Sequence, residues 1–502
     1  MPHHTRQPVT PEMLEVVEKR PISRRTVLKL GALGLGAAAT FGALEAVGFV
    51  PKRQAQAAPP HRLPNIQFDI GKYIAPVQSI NGIPFHFGPV YTLFLTATLT
   101  RTPTRRDQQA LGDALERIEQ EYDFSPSGVF TFVAYGIPYF NRLPGGMQGH
   151  LVASHMPRLL ADTTRYALEE AVPSPTDVSL LNPGITKKTF QVPVKIEAND
   201  VLFTLRSDEQ ANLLEVAAWL QGYGALAGRR VRAPDFNDLF RFTSARLEFA
   251  QIGLPRKLAD RLRLPYASRI NPNSPMWMGF LDQQVDGAGP APIVTFQGNA
   301  SARFTTARPD DYFADGAIQH LSHNIEDLQQ FYADDEPYTE RCQYMFRSNP
   351  IPSTGNTDQF TDGGGPAALD NIFQGADDAL HNAQGIDTFQ GEHRMGHLCA
   401  LQRSSRAADG TPVHIRMDGP GYDALDVPDG SSQPKLQFTI FVPTADFFTT
   451  MRRNQAALDL VHTYGVADED NGLERFITAT RRQNFLVPPR AHRAFPLVEG
   501  LH

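Results

Sequence analysis

The chain has 502 residues, with 47 Lys and Arg against 54 Asp and Glu, a formal net charge of −7. That length supplies one large domain or two, with ample core, and an acidic balance without a basic stripe argues against nucleic acid as a partner. Its 2 cysteines, Cys342 and Cys399, make neither a disulfide framework nor a CxxC metal site; a single disulfide and two buried thiols are both open.

Ser23-Arg24-Arg25-Thr26-Val27-Leu28-Lys29 precedes a Gly/Ala-rich apolar run over residues 30–50 and an Ala55-Gln56-Ala57 site. With Gly at 31, 34, 36, 42 and 48 and with Glu45, the run is weakly hydrophobic for a permanent membrane span. The segment resembles a twin-arginine (Tat) export signal over residues 1–57. The resemblance implies the Tat translocase as a partner and a secreted or periplasmic destination for a folded protein, often one with a cofactor already inserted. Without residues 1–57 the chain keeps 39 basic and 50 acidic residues, so the exported form is more acidic still.

After a short linker at residues 59–64, Leu93, Leu95, Ala97 and Leu99 alternate with Thr92, Phe94, Thr96 and Thr98, the period of a half-buried strand. Ala110, Leu111, Ala114, Leu115, Ile118 and Tyr122 then fall on one face at helical spacing. The pair recurs, with Val201, Phe203 and Leu205 as a strand and Ala211, Leu214, Ala217 and Leu220 as a helical stripe. In the second half, residues 317–322 read as a strand and Ile325, Leu328 and Phe331 as the start of a helix. Leu436, Phe438, Ile440 and Val442 then alternate ahead of a helix over residues 445–462. Two strand–helix units in each half predict an α+β fold of two ferredoxin-like domains, antiparallel sheets backed by helices. The expected domains are 58–270 and 271–502. Residues 351–395, rich in Gly, Asp, Asn and Gln, read as a long loop.

Three segments of the second half carry chemistry when taken together: Gly279-Phe280-Leu281-Asp282, Gly396-His397 and His414-Ile415-Arg416. His397 and Arg416 lie 19 positions apart, and a strand follows. Here the chain resembles the dye-decolourising (DyP-type) haem peroxidases, whose fold belongs to the dimeric α+β barrel superfamily. The resemblance implies haem b as cofactor, His397 as its iron ligand, and Asp282 and Arg416 as the catalytic pair on the opposite side. It implies hydrogen peroxide and an organic reductant as partners. Gln283 replaces the second glycine of the family's G-x-x-D-G motif, and Met417 stands where a second arginine is frequent.

These residue types suit the reaction. A neutral imidazole ligates haem iron, a carboxylate moves a proton between the peroxide oxygens, and a guanidinium stabilises the charge gathered on the leaving oxygen. His414 and His393 compete with His397, but His414 has no arginine at the corresponding distance. Asp286-Gly287 is a weaker candidate than Asp282. His320 and His323, three apart on a strand, face opposite sides and argue against a metal site. Trp219 and Trp277 read as core. No G-x-S-x-G elbow supports a hydrolase, and no Lys-Ser/Thr follows Gly363 to Gly365 to make a phosphate loop. Two alternatives accompany the peroxidase reading: a non-catalytic haem-binding or haem-handling protein, and an extracellular binding protein of the same fold with an empty pocket.

Overall fold

The computed structural model describes residues 62–80, 83–171, 189–236, 238–280, 289–299, 303–333, 338–345, 396–397, 405–407, 409–455 and 472–501. The export-signal segment, Asp282, Gln283, Asp286, loop 351–395, His393 and Cys399 lie outside the described residues. Cys342 falls in the helix Tyr338–Met345, and its side chain is also outside them.

The first half runs β1 (Tyr91–Leu99), α1 (Arg105–Glu121), β2 (Phe130–Gly136), β3 (Val201–Ser207), α2 (Gln210–Leu220) and β4 (Phe240–Phe249). Alternation sets β1: Leu93 and Leu95 pack under the helices with Leu111, Leu115 and Ile118 of α1, while Phe94 points to the other face. Thr104 starts α1 through a reciprocal cap, its hydroxyl accepting from the Asp107 N–H and its own N–H donating to the Asp107 carboxylate. The second half runs β5 (Ala317–Glu326), β6 (Ile415–Arg416), β7 (Gly419–Asp423), β8 (Gln433–Val442), α3 (Ala445–Gln455) and β9 (Ile477–Val487). Ile325 belongs to β5, so the helix predicted there starts later, at Leu328–Phe331. Both faces of that strand are buried, which removes the apolar alternation that marks a strand's end.

The first half is a βαββαβ unit with strand order β2-β3-β1-β4, and the second repeats that order as β6-β8-β5-β9, with β7 an additional strand paired with β8. All these ladders are antiparallel, the α+β ferredoxin-like arrangement expected. The halves share one continuous sheet, because β9 pairs with β2 at Phe485↔Gly136 and Leu486↔Tyr135. The sheet curls until its ends meet. A Cβ on Gly421 of β7 would lie 3.0 Å from the Leu247 carbonyl oxygen of β4, and Trp277 Nε1 donates to the Gly421 carbonyl at 2.9 Å. Trp219 and Trp277 are both core residues.

Inside the curl, Phe94, Phe130, Phe132 and Leu321 form a second core with Phe68, which stacks on Phe441 at 4.4 Å. Gln67 is fully buried and extends the junction of the halves: its Nε2 donates to the carbonyls of Val133 (3.0 Å) and Pro488 (2.7 Å), and its Oε1 accepts from the Val133 N–H (2.9 Å). Among the described residues, no helix is long and apolar enough to cross a membrane.

Gln67→Leu strands the Val133 N–H and the two carbonyls in an apolar interior, and stability should fall by about 2–4 kcal/mol at the usual cost of unsatisfied buried groups. Urea unfolding measures it; a loss below about 1 kcal/mol would mean that the amide does not hold the junction.

Candidate functional site

The second half-sheet and α3 enclose a cavity of about 70 Å³. Side-chain alternation decides what reaches it. On β8, Leu436 and Phe438 line the cavity while Lys435, Gln437 and Thr439 turn to the interior of the curl; on β5, Ser322 and Asn324 line it. Arg416 enters from β6, flanked by Ile415 and Met417, which join the inner core. The α3 helix contributes Phe448, Met451 and Arg452, and His397, Asp418 and Glu474 complete the wall.

Along β9 the alternation is interrupted. Asn324 stands opposite Ala479 and His323 opposite Arg481, so Thr480 is an extra residue. Such a bulge reverses the side taken by the later residues of its strand. Ile477 and Ala479 face the cavity before it and Arg482 after it, while Arg481 turns inward to pair with Asp426 and Glu197. His320 and His323 do face opposite ways: His320 stacks on Phe448 of α3, and His323 meets Asp423 inside.

Burial pushes the His397 imidazole down to about 4, with the Glu474 carboxylate opposing and the Arg452 guanidinium adding to the shift. It is therefore a neutral nitrogen base at neutral pH, the form that ligates metals. Gly472, at φ +52°, packs directly on it; a Cβ there would lie 2.8 Å from the His397 backbone nitrogen, so only glycine fits. Arg452 donates to both oxygens of Glu474 at 3.0 and 3.2 Å. Arg482 lies over the Phe448 ring at 5.4 Å, and Arg416 Nε stands 4.0 Å from Asp418 Oδ1.

Of the residues singled out in sequence, His397 and Arg416 thus share one cavity. His414 is buried but does not line it; the Gly289 N–H donates to its carbonyl, and its Nε2 makes no hydrogen bond. Asp282 lies outside the described residues; ahead of it in the chain, the Tyr332 hydroxyl donates to the Trp277 carbonyl at 2.9 Å. Asp418, Arg452, Glu474 and Arg482 were not anticipated. Only Asp418 carried a signal, its place two residues after Arg416; the others depend on how α3 and a bulge present them.

The donor set fits a haem: a neutral imidazole, apolar walls at Leu436, Phe438, Ile477 and Ala479, and cationic side chains for its carboxylates. The space is tight, because ligand pockets commonly span roughly 300–1,000 Å³, so Phe448 and Met451 would have to give way. Among the described residues no group of three His, Cys, Asp or Glu side chains would hold a bare metal ion.

Burial also lowers the His414 imidazole, from 6.5 to about 4, against a hydrogen bond that it donates to the Ser405 backbone. An unfolded chain then binds a proton that the folded one refuses, so stability is lost as pH falls from about 6.5 to about 4, by about 3 kcal/mol for this group. In His414→Asn the urea midpoint should depend less steeply on pH across that window; an unchanged slope would place the acid sensitivity elsewhere.

Comparison with known proteins adds a distant likeness. The chain is similar to a putative DyP-type peroxidase from Shewanella oneidensis, at 16% identity and a TM-score of 0.47 over 82% of this chain and 95% of that one. It is similar to the encapsulated DyP-type peroxidase of Mycobacterium smegmatis, at 14% identity and 0.45 over 84% and 98%. A heme complex of a DypB variant from Rhodococcus jostii gives 14% and 0.45 over 83% and 97%. Likeness at this level does not bear on chemistry. No curated protein matches the chain. Residues 89–489 match the sequence profile of DUF7405, a family of unknown function, and the chain belongs to that family.

Proposed function

We propose that the chain is an exported haem peroxidase that reduces hydrogen peroxide and oxidises an organic substrate. One observation supports the reading: His397 and Arg416, on which the motif resemblance rests, line the same cavity. His397 would hold the cofactor through its neutral imidazole, and Arg482 would meet its carboxylates. When bound, haem supplies the iron at which peroxide is reduced. Arg416 stabilises negative charge on the departing oxygen, and a nearby carboxylate carries the proton. The narrow cavity favours a second reading, a protein of the same fold that takes up no haem.

A spectrum separates the two. Protein supplied with haem should show a Soret band that His397→Ala loses or shifts and His414→Ala keeps. Peroxide-driven dye oxidation should follow, with Arg416→Ala slower by about 10² to 10³, the usual cost of losing one charge-stabilising donor. No Soret band in the wild type would leave the second reading standing.

The export proposal has its own test. Changing Arg24 and Arg25 to Lys should hold unprocessed precursor in the cytoplasm, seen by fractionation; normal processing and export of the double variant would refute it.

A further inference from the structure

We propose that Asp418 is the carboxylate that carries the proton during peroxide cleavage in this cavity, the role that the motif resemblance gives to Asp282. This rests on the peroxidase reading above. Among the described residues the cavity presents two carboxylates, Asp418 and Glu474. Glu474 is held at both oxygens by Arg452, which leaves it poorly placed to trade a proton. Asp418 follows Arg416 by two residues, and 4.0 Å separates its Oδ1 from Arg416 Nε, beyond hydrogen-bond range. A small oxygen species between them would meet the base and the cation together. The Asp418 side chain is 18% exposed, enough to exchange protons with solvent.

The other groups around Asp418 do not compete for the role. His397 would be engaged as the ligand. His414 lies outside the cavity wall. Glu326, at the end of β5, is raised to about 8 by burial and then by the charge of Asp418. Glu248 of β4 is raised by burial, with the Arg206 charge and a Thr92 hydrogen bond opposing; it also accepts from the Gly419 N–H, the residue after Asp418. Proton loss from either buried carboxyl is disfavoured, so neither serves as the base.

In the step itself, Asp418 accepts the proton from the near peroxide oxygen and delivers it to the far one. The O–O bond breaks with its electron pair going to the far oxygen, which leaves as water, and Asp418 ends in its starting state. Bound haem would supply the two electrons for this cleavage, and the organic reductant would return them with two protons, so that the second oxygen also leaves as water.

The test uses haem-loaded protein and two probes, hydrogen peroxide and cyanide, since hydrogen cyanide must also surrender a proton to a base as it binds. Asp418→Asn should keep the Soret band, slow peroxide consumption by about 10² to 10⁴ in line with loss of a general base, and slow cyanide association with a changed pH profile. Asp418→Glu should recover part of both rates, which a purely structural role would not predict. Should the Asn variant fail to bind haem, Asp418→Ser is measured in its place. If Asp282→Asn loses both rates while the Asp418 variants keep them, the proposal is overturned and the peroxidase reading survives. A wild type without a Soret band overturns both.

Discussion

One short antiparallel ladder makes the two half-sheets of this protein continuous, and a parallel pairing of Lys195 and Ile196 with Arg481 and Arg482 of β9 supports it. The β9–β2 ladder holds only at Phe485↔Gly136 and Leu486↔Tyr135, and side-chain amides extend it at both ends. Gln67 bridges Val133 and Pro488 on one side. On the other, Gln483 accepts from the Asn199 N–H and donates to the Asn199 carbonyl. Gly136 sits between these groups with no room for a side chain, since a Cβ would lie 2.4 Å from the Asn199 carbonyl oxygen. These side-chain amides satisfy backbone groups that the short ladder leaves unpaired.

Inside the curled sheet the halves are also tied by charge. Arg246 of β4 pairs with Glu197, Glu197 with Arg481 of β9, and Arg481 with Asp426. His323 of β5 and Lys435 of β8 both approach Asp423. Buried pairs of this kind add little net stability, but removing one partner is costly because it strands the other. They fix which strands can be neighbours. The bulge at Thr480 divides the labour of two adjacent arginines, giving Arg481 to this network and Arg482 to the cavity. The cavity's charge is thus a by-product of the register that closes the sheet.

Much of this was legible where a strand has one apolar and one polar face. The alternations at Leu93 to Leu99 and Leu436 to Val442, and the helical stripes of α1 and α2, were sufficient to reveal the duplicated α+β plan. Phe130–Gly136 was not singled out, because it is buried on both faces and shows no period. Strands β5 and β9 carry His320, His323, Arg481 and Arg482 among their inward and cavity-facing residues, so a hydrophobic count underrates them. His397 and Arg416 could be paired from their spacing. Glu474, Arg452 and Arg482 could not, since each reaches the cavity only through α3, a bulge or a turn whose geometry is tertiary.

The contact between Gln67 and Pro488 also bears on time. These groups are 421 positions apart, so the segment around Gln67 must wait for β9 to leave the ribosome before it finds its place. Until then β2 presents an unpaired edge. Contacts of such sequence separation slow folding and leave partly built sheets exposed to association. A nascent chain of this protein therefore carries an open strand edge from the synthesis of β2 until that of β9.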